Sequence, residues 1–265
     1  MKAIRADYPV EWPKLRIYPL ADLHIGDPHC MMHEIRRRIK TIMDDPYGIT
    51  ILNGDLLNAA TRNSVSDVYG DPLNPGQQAD KLIELLRPLA QAGKIAAADM
   101  GNHEARIYKE SGLDIMAMVC ESLGIRDRYN AESVMLFLRF GRRNGHGRHS
   151  DKNQAQWYSL FATHGSGGGS GRAATVAKLE KMSHRICADV FLHSHTHYPI
   201  SFDGKMYRLN ASSCSIQEIK PLYANTDSTL AYGGYAERGE YNPAPHAFLC
   251  IELDAEHKGM RCFSV

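Results

Sequence analysis

LHSHTHYP, residues 192–199, carries histidine at every second position: His193, His195 and His197. Alternate side chains of a strand lie on one face, so a strand running through this stretch would present all three imidazoles together. Two readings are open. A polar turn after a buried strand would leave the rings solvated, whereas a metal site would need them grouped. The run that leads into the stretch, ADVFLH (188–193), is apolar and ends in polar residues.

The same form recurs along the chain. LRIYPLA (15–21) ends in DLHIGD, ITILN (49–53) in GD, KIAAADM (94–100) in GNHE, and QWYSLFATH (156–164) in HG. Between the first three runs, Met31, Ile35, Ile39 and Ile42 recur at helical spacing, as do Ala79, Leu82, Ile83, Leu86 and Leu89. Strands alternating with helices predict βαβ units and a mostly parallel sheet. The second half adds a strand at SVMLFLRF (133–140) and a helix over 171–186 with Val176, Leu179, Met182 and Ile186 apolar. The tail segments KMYRLN, HAFLCIEL and GMRCFSV read as antiparallel strands closing a second sheet. The predicted fold is α/β, a sandwich of two mixed sheets flanked by helices in four αββα layers. Neither a repeat nor a long linker divides it, so one domain is expected over 1–265.

Bulk composition excludes little but is consistent with this. A chain of 265 residues can bury a full core, and 43% apolar with 23% charged residues is ordinary for a globular protein. A formal charge of +1 gives no global field toward nucleic acid or membrane, so such binding would need a local patch. The first residues, MKAIRADYPVEWPKLRIYPLAD, are too charged and too broken by proline for a signal peptide, and no run is apolar enough for a membrane helix. The six cysteines form no CxxC pair, which predicts free, mostly buried thiols in a reducing, cytoplasmic setting. The thirteen histidines cluster at 24–33, 146–149, 164 and 184–197.

Ligands of open α/β sheets bind at the carboxyl ends of the strands. There the sequence puts Asp22 and His24, Asp55, Asn102-His103-Glu104, His164, and His195 with His197. Each piece alone has a plainer reading: a strand-end turn for Asp22, a turn dipeptide for Gly54-Asp55, a helix cap for Asn102. All of them together, each at a strand end, point to a site. Carboxylate, imidazole and amide oxygen suit Mn²⁺, Fe and Zn²⁺, and the lack of a thiolate argues against a structural zinc.

The order DxH, GD, GNHE, H, HxH resembles the calcineurin-like metallophosphoesterase superfamily, over roughly residues 15–200. The resemblance implies two adjacent divalent metals. Asp22, His24, Asp55 and His197 would hold one; Asp55, Asn102, His164 and His195 the other. It implies a hydroxide between the metals as nucleophile, and His103 assisting the leaving oxygen with Glu104 orienting its ring. The sequence departs from the family at Ser194, where Gly is frequent, and at Glu104, where Asp is common. Leu-Leu-Asn-Ala-Ala-Thr-Arg follows Asp55 and Met100 precedes Gly101, so the two phosphate-gripping arginines of the phosphoprotein phosphatase branch are missing from their usual places.

GSGGGSGR (165–172) reads either as a flexible loop or as a backbone nest for a phosphate, with Arg172 near the substrate. This stretch resembles phage and prophage members of the superfamily, which implies a bacterial or phage-infected cell. Arg62 and Arg106 follow ligand motifs and are candidates to reach a phosphate, or are solvated surface residues. The loop 141–152 sets Arg142, Arg143, Arg148 and Lys152 against Asp151, as a solvated hairpin, a nucleic-acid contact or a contact between copies in a homo-oligomer. The expected activity is that of a dinuclear phosphoesterase, Mn²⁺ first and Fe or Zn²⁺ satisfying the same ligands. A phosphodiester, DNA or a nucleotide, is the favoured substrate. The alternatives are a phosphomonoesterase on a small molecule or protein, a binding module on the same fold, and a structural metal protein.

Overall fold

The computed structural model describes the chain apart from residues 63, 65–69, 143–153, 170, 239 and 241. One sheet contains β1 (Lys2–Asp7), β6 (Val134–Phe140), β7 (Gln156–Thr163), β8 (Val190–His193), β12 (Leu222–Asn225) and β9 (Ile200–Asp203), in that spatial order. The other runs β14 (Met260–Ser264), β13 (Leu249–Asp254), β2 (Lys14–Leu20), β3 (Gly48–Asn53), β4 (Ile95–Asp99) and β5 (Tyr129–Asn130). β10 (Met206–Asn210) and β11 (Ser215–Ile219) form a separate hairpin.

Period-two alternation explains the layering. Leu15, Ile17, Ile49 and Ile51 of one sheet pack against Leu136, Leu160, Val190 and Leu192 of the other, all buried, as the sandwich interior. Residues of opposite parity face outward onto helices. Tyr18, Leu20 and Leu52 meet α1 (Met32–Asp44), α2 (Pro75–Gln91) and α4 (Ile115–Ser122), while Phe161, Phe191 and Tyr223 meet α5 (Arg172–Ser183). Each buried Leu or Ile contributes about 1.5–3 kcal/mol of transfer free energy. α2 begins where Asn74 and Gln77 cap each other reciprocally, with Pro75 at the first helical position.

The four-layer expectation holds, with corrections in the tail. β13 pairs antiparallel with β2, so the tail extends the amino-terminal sheet and does not close the other one. β10 joins neither sheet; its Tyr207 and Leu209, with Ile216 of β11, are exposed. The sequence reading missed β1, β5, β9, β11, β12, α4 and α6 (Tyr235–Arg238), and of α3 (Glu104–Ser111) it had only the cap at Asn102 as one alternative. Of the six free cysteines only Cys120 and Cys250 are buried, and Cys187 and Cys214 are exposed. No helix among the described residues is long and apolar enough to cross a membrane.

What the fold does for function is positional. β2, β3 and β4 run parallel, and so do β7, β8 and β12. Their carboxyl ends bring Asp22, Asp55, Asn102, His164 and Thr226 to one edge of the sandwich.

Candidate metal centre

The strands stop short of the ligand motifs, and the backbone there is unusual. Asp22, His24 and Asp55 each have φ of 49°, His195 has 69° and His197 has 56°. Such left-handed conformations cost a non-glycine residue of order 1–3 kcal/mol and persist only where the surroundings over-determine them. Asp and His tolerate this region better than β-branched residues do. β8 ends at His193, so the three-histidine stretch is not one strand. His195 and His197 reach the site through this turned backbone, while the His193 ring goes elsewhere. Its Nδ1 lies 2.7 Å from Asn225 Oδ1. On the other side of the ring, a Cβ at Gly165 would meet its Nε2 at 2.2 Å. His193 is therefore a packing residue that requires glycine at 165.

Two donor groups result. Asp22, His24 and His197 offer atoms within 4.8 Å of one another, and so do Asp55, His164 and His195. Asp55 also groups with His24 and His103, which sets it between the two. In the first group, His197 Nε2 is 3.2 Å from both Asp22 Oδ1 and His24 Nε2. In the second, His164 Nε2 is 3.1 Å from Asp55 Oδ2 and 3.2 Å from Asn102 Oδ1. The seven residues expected as ligands thus converge.

The donor set fits divalent cations. His164 Nδ1 lies 2.9 Å from the Asn53 carbonyl, so in its neutral form Nδ1–H donates there and Nε2 turns a lone pair on two oxygens. Asp22 Oδ1 and His24 Nδ1 are buried and make no hydrogen bond among the described residues. A buried carboxylate oxygen left without a donor is costly, and a cation at Asp22 Oδ1 would satisfy it.

The charges respond to this crowding. Burial opposes the Asp55 carboxylate, but His164 and His103 hold its pKa well below the usual range. Burial likewise opposes charge on His164, but Asp55 outweighs it and raises the pKa to about 10. Burial, with His103 and His197 adding to it, keeps His24 neutral.

His103 lies in the wall of the site with its Nε2 3.8 Å from Asp55 Oδ2. Its ring is oriented by the Asn58 carbonyl, 2.7 Å from Nδ1. The role expected of Glu104 is corrected accordingly. Its buried carboxylate accepts from the backbone N–H groups of Asp55, Leu57 and Gly101 at 3.1, 2.9 and 3.0 Å. That carboxylate locks the GD turn to the GNHE turn, and burial followed by the Asp55 charge pushes its pKa up to about 7. The approach is so close that a Cβ on Gly101 would meet Asp55 Oδ1 at 2.0 Å.

A strap unseen in the sequence supports Asp22. The Ser228 hydroxyl donates to the Asp22 carbonyl at 3.0 Å, and the Thr229 hydroxyl to that of Leu23 at 3.1 Å. Asp227, which precedes them, is held bidentately by the buried Arg38 at 2.8 and 2.7 Å. The signal was available: LYANTDST is another apolar run ending in polar residues. Ser194, where glycine is frequent in the resembling family, accepts from Asn53 Nδ2 at 2.6 Å.

Of the three arginines expected at the substrate, Arg106 alone comes close, its Nη1 3.4 Å from His103 Nδ1. Arg62 and Arg172 are exposed and line neither of the cavities that open at the site. In the basic loop, Arg142 is exposed; Arg143, Arg148, Asp151 and Lys152 lie outside the described residues. The first cavity, of about 210 Å³, is lined by Asp55, Asn102, His195 and His197 of the donor groups and by Leu230, Ala231, Tyr232 and Pro245. A second cavity adjoins it at Asn102.

No protein-family model matches the chain, and no curated protein matches it. Solved structures do. A conserved uncharacterized protein of Streptococcus pneumoniae TIGR4, a predicted phosphoesterase, aligns over 95% of this chain and 98% of its own at 15% identity and a TM-score of 0.37. A metallophosphoesterase from Sphaerobacter thermophilus aligns over 95% and 88% at 12% identity and a TM-score of 0.42. Entamoeba histolytica Vps29 complexed with Zn²⁺ aligns over 95% and 98% at 11% identity and a TM-score of 0.37. The fold and the site stand on this chain's own residues.

Proposed function

We propose that the protein is a dinuclear metal-dependent phosphoesterase that hydrolyses phosphodiesters. The observation that carries this reading is Asp55, set between two groups of nitrogen and oxygen donors that fold from five separate strand ends. Two divalent cations, when bound there, supply a nucleophile activated at neutral pH and a clamp on the phosphoryl oxygens. Asp22, His24, Asp55 and His197 would hold one; Asp55, Asn102, His164 and His195 the other. Mn²⁺ is the first choice for these donors, with Fe and Zn²⁺ satisfying the same set.

The protein's own part is positioning and proton handling. With Nδ1–H given to Asn58, His103 is left with Nε2 facing the cavity. Burial lowers its pKa, so Nε2 is an acceptor in the neutral ring and donates to the leaving oxygen once it has taken up a second proton, which the nucleophilic water supplies. The apolar wall at Leu230, Ala231 and Pro245 excludes water and receives an organic substituent. Among its described lining residues that cavity has no lysine or arginine. A monoester dianion would lack a side-chain cation there, which favours the singly charged diester of a nucleic acid or nucleotide. The exposed Cys187 and Cys214 favour a reducing, cytoplasmic compartment, and the glycine stretch after His164 a phage-type lineage.

Turnover of a chromogenic phosphodiester beside the matching monoester, by Mn²⁺-loaded protein, tests the reading. Faster diester turnover is expected. Preference for the monoester would overturn the substrate class, and silence on both with metal bound would overturn the activity.

A further inference from the structure

The second cavity, of about 500 Å³, has Asn102 and His164 in its wall and so begins at the candidate metal centre. The glycine strap divides it from the first: Gly165 and Ser166 line one cavity, Gly167 to Gly169 the other. Its outer wall is the end of α5, which contributes Lys178 and Lys181, and the turn after it, which contributes Arg185. Lys178 and Lys181, three apart, share one helical face, and His184 keeps helical φ and ψ beyond Ser183, so Arg185 continues the row. At about 1.5 Å rise per residue the row runs roughly 10 Å. Glu132 is the one acid among the described lining residues, and its exposed carboxylate lies 3.5 Å from the amino terminus. No acidic side chain pairs with Lys181 or Arg185 among the described residues. Lys178 donates to the Gly167 carbonyl at 3.0 Å and so ties the strap to the row.

A row of cations starting at a phosphoryl-transfer centre fits further phosphates joined to the one that reacts. A nucleic-acid strand carries a charge about every 3.4 Å of duplex axis, so roughly 10 Å spans two or three phosphates. We propose that Lys178, Lys181 and Arg185 bind the phosphates flanking the scissile one, and that the substrate is a nucleic-acid strand. This inference rests on the phosphodiesterase reading and names the substrate class of that site. It needs neither Arg172 nor the basic loop at 141–152. The strap between the cavities sets where the strand crosses from the flanking row to the reacting centre.

The test is binding of a fluorescein-labelled single-stranded oligonucleotide in EDTA, where no cleavage intervenes, over a range of salt. The proteins are wild type, K181Q/R185Q, and the control K40Q/R87Q, which removes two cations from surfaces outside the cavity. K181Q/R185Q is expected to bind about tenfold more weakly at low salt. Its log–log salt slope should be shallower by about 1.4, at about 0.7 per phosphate contact on a single strand. Equal affinity and slope in K181Q/R185Q and wild type would overturn the proposal, as would the same loss in K40Q/R87Q. Displacement of the oligonucleotide by a nucleoside triphosphate at equal phosphate concentration would overturn the strand assignment. Turnover of the chromogenic diester by the Mn²⁺-loaded wild type separates the two claims. Intact oligonucleotide binding without that turnover refutes the enzyme reading and leaves the row in place. Turnover without a difference between the variants refutes the row alone.

Discussion

His24 and His197, 173 residues apart in the chain, bring their Nε2 atoms to within 3.2 Å of each other. Asp22 Oδ1 lies the same 3.2 Å from the His197 nitrogen. Nothing local forces this meeting. It results from two strand ends in different sheets, each followed by backbone at positive φ. Asp22 and His24 are buried and His197 is partly exposed, and nitrogen lone pairs this close to a carboxylate oxygen fit a bound cation.

His103 offers a separation of chemistry from metal binding. It is outside both ligand sets, and its ring is fixed by Asn58, a backbone carbonyl that substitution of a neighbour leaves in place. His103→Ala should keep its metal and lower kcat by roughly 10²–10⁴-fold. Normal turnover by that variant would remove His103 from the mechanism.

Arg38 and Asp227 are coupled to the site from a distance. Breaking a buried, bidentate pair costs about 3–5 kcal/mol, because it strands the remaining charge. Arg38→Met should destabilise the protein by this order in denaturant unfolding. It should also weaken metal binding, since Asp227 holds the strap whose Ser228 and Thr229 support Asp22 and Leu23. The double variant R38M/D227L should recover stability relative to R38M. Unchanged metal affinity in a folded R38M would show that the strap does not position Asp22.

A pH prediction follows from His164. Its pKa in the metal-free fold is raised to about 10, burial opposing the charge and Asp55 outweighing burial. The unfolded value is about 6.5. A raised pKa stabilises the fold fully below the unfolded value and loses that contribution as pH rises through the folded one. The Tm of EDTA-treated protein should therefore fall between about pH 6.5 and about pH 10. Cations displace that proton, so the metal-loaded Tm should be flatter over this range and metal addition should release protons. A rising metal-free Tm over the same interval would refute the His164–Asp55 pairing.

Much of this was legible before the structure because the fold repeats one rule. Apolar runs at 15–21, 49–53, 94–100, 156–164 and 188–193 are buried strands, and the polar residues after them meet because parallel strands end at one edge. The misses have physical causes. β12 is four residues long and its LYAN carries no alternation, so the strap after it went unread. HSHTH suggested one strand face, but positive φ at His195 and His197 cannot be read from periodicity. Glu104 sits beside His103 in sequence, yet helical geometry sends its carboxylate back to the Asp55 turn. Lys178, Lys181 and Arg185 follow no motif in the sequence; only the cavity beside them distinguishes them.

The central claim is that Asp55 is shared by two cations. Metal content per chain, measured after loading with Mn²⁺ and removal of the excess, tests it most directly on wild type and Asp55→Asn. The account predicts about two equivalents in wild type, as a two-metal site requires, and loss of both in a variant that stays folded. One equivalent in wild type, or content unchanged by Asp55→Asn, would contradict it.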